Sequence, residues 1–97
     1  MSAKTILLVD DQKNTLKVLS AILRDEGYEV LQAGLGSEAL RLFEQREDVD
    51  LVLSDLKLPG MDGIALFHRM REKRETPPFI IMTAYGTVKS AVQAMRD

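Results

Sequence analysis

Asp55 closes the apolar run Leu51-Val52-Leu53-Ser54 and is followed at once by the turn-rich segment Leu58-Pro59-Gly60-Met61-Asp62-Gly63. A second apolar run, Ile6-Leu7-Leu8-Val9, ends in the same way, in Asp10-Asp11. Short continuous apolar runs bounded by turn signals read as buried strands, so each of these two delivers carboxylates at its C-terminal end. In an open parallel sheet, ligands bind beyond the carboxyl ends of the strands, where the strand order reverses. With the order 2-1-3-4 that crevice lies between the first and third strands, and Asp10, Asp11 and Asp55 all point into it. Clustered carboxylates resist joint ionisation unless a cation sits among them. Hard oxygen ligands with room for water favour Mg²⁺, with Mn²⁺ as a close substitute. A carboxylate oxygen beside such a metal can attack a phosphate donor in line and form an aspartyl phosphate. Asp55, at the end of the central strand, is the expected nucleophile.

The fourth apolar run, Phe79-Ile80-Ile81-Met82, ends in Thr83, beside the same crevice. The Thr83 hydroxyl is placed to hydrogen-bond a phosphoryl oxygen on Asp55, and the small Ala84 next to it leaves access for the phosphoryl group. Such a bond draws the 83–88 loop inward only when phosphate is present, and Tyr85 swings with it, so that a local charge becomes a change of shape. Each feature has a plainer explanation. Asp10-Asp11 alone is more often a helix N-cap, Asp55 alone starts a loop, Thr83 alone binds backbone at a strand end, and Tyr85 alone is a half-buried aromatic. Their joint placement at three strand ends favours the chemical reading. His68 and the run from Arg69 to Arg74, interrupted by Glu72, read as a solvated helix face.

Short apolar runs alternate with longer amphipathic segments, the pattern of βαβ units and a parallel sheet. Strands are expected at about 5–10, 28–33, 50–55 and 79–83, and helices at about 13–26, 37–47, 63–74 and 86–96. The first helix carries Leu16, Leu19, Ile22 and Leu23 at helical spacing and stops at Gly27, where a positive φ is easily placed. Ser37 is the expected N-cap of the second, with Leu40 and Phe43 on its buried side. Asp62-Gly63 opens the third, whose stripe is Ile64, Phe67 and Met70. Polar residues interrupt Tyr28-Glu29-Val30-Leu31-Gln32-Ala33, which marks the second strand as the sheet edge. The fourth run reads as an interior strand with no fifth strand after it, and the sequence reaches Asp97 inside a helix without a stop signal. A fragment, or a neighbour supplied by another chain, is therefore expected.

At 97 residues the chain is a single domain whose one core is sufficient but not generous. Its 45% hydrophobic and 29% charged composition is that of a globular protein, and no apolar stretch is long enough for a membrane span. No signal-peptide pattern appears. With no Cys, disulfides and thiolate metal sites are excluded, which fits a cytoplasmic location. A net charge of −2 with scattered Lys and Arg is not the footprint of a nucleic-acid binder.

The segments Ile6-Leu7-Leu8-Val9-Asp10-Asp11, Leu53-Ser54-Asp55-Leu56, Leu58-Pro59-Gly60-Met61-Asp62-Gly63 and Met82-Thr83-Ala84 resemble, in order and spacing, the receiver domain of two-component response regulators. The likeness runs from Ile6 to the last residue. It implies a flavodoxin-like doubly wound α/β fold, Asp55 as phosphoacceptor and Asp10 and Asp11 at a Mg²⁺ site. It also implies a metal contact from the Lys57 backbone carbonyl, Thr83 as switch hydroxyl and a histidine kinase as phosphodonor. The stretch Thr83-Ala84-Tyr85-Gly86-Thr87-Val88 leading into Ala91-Val92-Gln93-Ala94-Met95 is similar to receivers of the nitrogen-regulator type, attached to ATPase modules that activate sigma-54 transcription.

The chain also departs from this family. Its receivers carry a fifth βα unit whose strand ends in a Lys that pairs with the phosphoryl group, and no Lys here occupies that place. Phosphorylation through Asp55 and Mg²⁺ is expected to survive, with impaired coupling to output through a surface reduced to Val88, Val92 and Met95. An uncovered fourth strand and first helix exposing several hundred Å² of apolar surface, at ~25 cal/mol per Å², favour a dimer or a swapped assembly. A phosphorylation-incompetent interaction module is the alternative. A Mg²⁺-dependent phosphohydrolase is weaker, because Lys57 and Gln12 stand where its general acid belongs, two positions after Asp55 and Asp10.

Overall fold

The computed structural model describes residues 3–82, in which strand and helix alternate throughout. Strands β1 (Thr5–Val9), β2 (Glu29–Ala33), β3 (Val49–Asp55) and β4 (Phe79–Met82) are joined by helices α1 (Lys13–Asp25), α2 (Gly36–Gln45) and α3 (Gly63–Lys73). All pairings are parallel and the order is β2-β1-β3-β4, the expected doubly wound arrangement. Thr83, the 86–96 helix and its Val88, Val92 and Met95 lie outside the described residues, as do Ala84 and Tyr85.

The first strand explains the fold. Ile6, Leu7, Leu8 and Val9 are all buried, as a strand covered on both faces requires. Alternation sends Leu7 and Val9 into a cluster with Val52, Phe79 and Ile81 from the sheet, Ala39 and Phe43 from α2, and Leu66, Phe67 and Met70 from α3. Phe67 and Phe79 meet edge to face with centroids 5.1 Å apart. The opposite face takes α1, whose Leu16, Leu19 and Leu23 are only half-buried. Ser20 is the fully buried residue of that helix, and its hydroxyl accepts a 2.6 Å hydrogen bond from Gln32 on β2. Ile22, expected in the apolar stripe, is 53% exposed, as is its neighbour Val18 at 56%. The stripe is therefore narrower than its spacing suggests.

The second strand lies at the sheet edge, as its polar interruptions indicate. The fourth pairs with β3 alone among the described residues, as the order 2-1-3-4 requires, with Ile80 half-exposed between buried Phe79 and Ile81. The β1–β3 register slips between Thr5 and Ile6, skipping Asp50, whose carboxylate accepts the Thr5 N–H at 2.8 Å.

Two helix ends follow expectation and one does not. Gly27 after α1 has φ +96°, and Asp62 caps α3 by accepting the Ala65 N–H at 2.7 Å. Ser37 is not the cap of α2. The helix begins one residue earlier, Leu35 stands at the cap position without a side-chain bond, and the Glu38 carboxylate reaches back to the Gly34 N–H at 3.1 Å instead. The basic run also needs correction at its end, since Arg74 is not simply solvated. Its guanidinium lies 3.8 Å from the centroid of the Phe43 ring and donates to the Arg46 carbonyl at 2.6 Å. Arg46 in turn pairs with Glu29 and Asp48.

The junction that matters most for the strand ends is Gly63. Its N–H donates to the Leu56 carbonyl at 2.7 Å, and a Cβ there would stand 2.6 Å from the Asp55 carbonyl oxygen. Only glycine lets the start of α3 approach β3 so closely. Gly63→Ala is expected to cost about 1–3 kcal/mol of stability, the usual range for overpacking against rigid neighbours, read from the midpoint of urea unfolding. Gly36→Ala, where the Cβ meets only a flexible Met61 side chain, is the matching control and should unfold at or near the parental midpoint.

Candidate acidic site at the strand ends

Parallel pairing brings the C-terminal ends of β1 and β3 side by side, with Val9 opposite Ser54. The next residue along each strand is an aspartate. Asp10, Asp11 and Asp55 each offer a carboxylate oxygen within 4.8 Å of the others, so the three residues picked from sequence do converge. Their surroundings differ. Asp10 is buried, Asp55 half-buried and Asp11 exposed.

Asp10 is tied down from both sides. Its N–H donates to the Ala33 carbonyl at the end of β2 at 3.0 Å, and its carboxylate accepts the Gln12 N–H at 2.9 Å. This second bond is an Asx-type turn, and α1 has no side-chain cap, with Gln12 at the cap position. The plainer reading of Asp10-Asp11 as a helix cap therefore does not account for the pair. Asp55 is held through its backbone. The buried Ser54 hydroxyl donates to the Asp55 carbonyl at 2.9 Å, and the Leu56 N–H donates to the Met82 carbonyl at 3.1 Å. The Lys57 N–H approaches the Asp55 carboxylate at 3.4 Å, and the Lys57 side chain is exposed.

Burial pushes the Asp10 carboxyl above the usual carboxylate range. The Gln12 N–H offsets part of this, and the charges of Asp55 and Asp11 add to it. Among the described residues none of the three acids has a Lys or Arg ion-pair partner. Among the described residues the site is thus a set of three acids with no ion-pair partner from the protein. Thr83, Ala84 and Tyr85, expected around the same crevice, lie outside the described residues. His68, read as solvated, is half-buried, with its ring 5.6 Å from that of Phe67.

One contact at this end of the fold has no clear signal in the sequence. The Met61 side chain packs over Gly36, where a Cβ would stand 2.9 Å from the Met61 sulfur. The loop after β3 is thereby set against the first turn of α2. The Gly before Ser37 was the available hint.

Comparison with known proteins agrees with this geometry. Residues 6–97 match the family model described as the response regulator receiver domain. The chain is 46% identical over 92 residues to the transcriptional regulatory protein GlrR of Escherichia coli, covering 95% of this chain and 20% of that protein. It is 45% identical over 86 residues to sporulation initiation phosphotransferase F of Bacillus subtilis, covering 89% of this chain and 68% of that one. The chain thus spans about one fifth of the transcriptional regulator and about two thirds of the phosphotransferase. A solved CheX–CheY–BeF₃–Mg²⁺ complex from Borrelia burgdorferi superposes with a TM-score of 0.87 at 28% identity, over 95% of this chain and 70% of that one. No helix of the described residues is long and apolar enough to cross a membrane.

The raised Asp10 pKa has a direct consequence for stability. An acid that binds its proton more tightly when folded destabilises the fold once the pH is above its folded pKa, and this penalty is absent below its unfolded value near 3.8. Asp10→Asn keeps an acceptor for the Gln12 N–H and removes the charge. In metal-free buffer at pH 7 the variant should melt above the parent, and the gain should shrink toward zero as the pH is lowered to about 4. Thermal melts across that range check both the sign and the window.

Proposed function

This chain belongs to the response regulator receiver domain family of two-component signalling, and from that premise we propose that it is a switch controlled by phosphorylation of Asp55. The observation that carries the reading is the convergence of Asp10, Asp11 and Asp55, which have no ion-pair partner among the described residues. Three hard carboxylates of this kind fit Mg²⁺, with Mn²⁺ as substitute. Asp10, Asp11, Asp55 and the Lys57 backbone carbonyl are the groups that would hold it. When bound, the metal supplies positive charge that offsets the phosphate donor and the acids together.

The chain's own residues do the rest. An Asp55 carboxylate oxygen attacks the phosphorus of the donor, a new O–P bond forms, and the donor leaves with the electrons of its broken bond to phosphorus. A phosphohistidine of a histidine kinase is the proposed physiological donor, and leaves as neutral imidazole after protonation. Asp55 suits this role because its backbone is fixed by Ser54 and by the approach of Gly63, while its side chain is half-open to solvent. Asp10 and Asp11 place two further carboxyl groups next to the reacting group and so make the reaction dependent on the bound cation. Thr83 would receive the phosphoryl oxygen, Ala84 would leave room for it and Tyr85 would follow the loop. The output is regulation of transcription in the cytoplasm through further modules of the sigma-54 activator type. The chain modifies only itself and is not a phosphohydrolase acting on other molecules. Self-association belongs to the same reading, with the exposed Val18 and Ile22 of α1 as the apolar surface available for it.

Incubation with acetyl phosphate, with and without Mg²⁺, tests the central step by intact mass. The expected result is a gain of one phosphoryl group that needs Mg²⁺ and is absent in Asp55→Asn. A folded parent that gains no mass would overturn the switch and leave the interaction-module reading in its place.

A further inference from the structure

The loop that leaves β3 carries Lys57, whose carbonyl is a proposed metal ligand, and hydrogen bonds fix only part of that loop. Apart from a turn at Pro59-Gly60, the backbone from Lys57 to Met61 makes no close hydrogen bond to another backbone group among the described residues. The Lys57 N–H reaches only the Asp55 carboxylate, at 3.4 Å. The loop is pinned at its end, where the Gly63 N–H meets the Leu56 carbonyl at 2.7 Å. In between, Gly60 takes φ +76° and Pro59 is exposed. Two apolar side chains, Leu58 and Met61, are half-buried against the core and hold the middle.

Met61 differs from Leu58 in what it touches. Its sulfur and two flanking carbons occupy the space a Cβ at Gly36 would need, at 2.9, 3.4 and 3.4 Å. Gly36 is the first residue of α2, directly after the segment Ala33-Gly34-Leu35. That segment is itself bonded to the acidic site, since the Ala33 carbonyl accepts the Asp10 N–H at 3.0 Å, and the Glu38 carboxylate holds the Gly34 N–H at 3.1 Å. A closed circuit results, from Asp10 through the β2–α2 turn to Gly36, across to Met61, and back along the loop to Lys57 and Asp55.

We propose that Met61, seated in the gap left by Gly36, is a positioning residue that locks the β3–α3 loop against the β2–α2 turn and so presets the oxygen ligands around Asp55 for the cation. Met61 touches neither metal nor phosphate. It acts by holding the backbone that does, much as outer-shell groups tune metal sites. The unbranched thioether suits the task, since it fills an irregular gap between two backbones without demanding a fixed shape. The functional meaning of the lock rests on the Asp55 switch proposed above, whereas the lock itself is a property of the metal-free fold.

Gly36→Ala is the informative variant. It should help the start of α2, because alanine restricts the unfolded chain at a position with ordinary helical backbone. The same methyl group pushes Met61 out of its seat. The expected result is therefore a split: unchanged or higher melting temperature, Mg²⁺ affinity by calorimetry weaker by about tenfold, and lower backbone ¹⁵N order parameters confined to the loop of residues 57–61. Met61→Ala should give the same pattern of order parameters. Because both changes break one contact, the double variant should bind Mg²⁺ no more weakly than Met61→Ala alone. Met61→Leu, close in volume, should recover most of the affinity.

Parental affinity and parental loop order parameters in Gly36→Ala would overturn the proposal, and so would additive losses in the double variant. The order parameters are measured without metal. A parent that fails to bind Mg²⁺ would sink the proposed metal role of the three acids, while the loop's order parameters in Gly36→Ala would still decide whether Met61 locks it.

Discussion

Three carboxylates converge at one end of the sheet, with no ion-pair partner among the described residues, and the packing of the strands holds them there. A buried strand must place its last residue where the sheet places it. β1 is buried along its whole length, so Asp10 cannot swing away into solvent without disturbing Ile6 to Val9. Apolar burial at ~25 cal/mol per Å² over four buried side chains makes that displacement more costly than the electrostatic penalty at one buried acid that can take up a proton. The core therefore wins, and the acid responds by holding its proton more tightly.

This constraint explains why the contacts near the site are so often backbone contacts. Asp10 is fixed by the Ala33 carbonyl and Gln12 N–H, Asp55 by Ser54 and by the tight approach of Gly63. Backbone anchors do not bring countercharge with them. A lysine or arginine would have fixed the acids equally well, but it would also have neutralised them and removed the demand for an external cation. Charged pairs do occur in this protein, and they lie elsewhere. Arg46 with Glu29 and Asp48, and Lys73 with Glu44, are exposed pairs remote in the sequence from the three acids, of the kind worth little to stability.

The sheet and the acids were legible in the sequence because both are written in short-range signals. Continuous apolar runs gave β1 and β3, polar interruptions marked β2 as the edge, and the aspartates follow their strands directly. The features that were missed depend on residues far apart in the chain. Ser37 looks like a cap by local rules, but the start of α2 is decided by Gly36 meeting Met61 and by Glu38 reaching Gly34. Arg74 looks like part of a solvated run until Phe43, some thirty residues away, presents its ring. Ile22 sits at correct helical spacing yet stays exposed, because spacing gives the direction of a face and not its width. The fourth strand is as apolar as an interior strand, and composition alone cannot say what lies beside it.

A cluster of acids is also a site whose energy depends on what enters it. The charges of Asp55 and Asp11 add to the burial that raises the Asp10 pKa, and a cation that binds the folded form and not the unfolded one stabilises the fold by mass action. At a hundred times its dissociation constant this amounts to about 2.7 kcal/mol. A phosphoryl group on Asp55 would change the balance again, exchanging one carboxylate charge for a group of greater charge and size at the same strand end. The neighbouring strand end is β4, whose Met82 carbonyl already accepts the Leu56 N–H. A charge placed at Asp55 would thus stand next to the end of β4, because in a parallel sheet the C-terminal end of one strand is the near neighbour of the next.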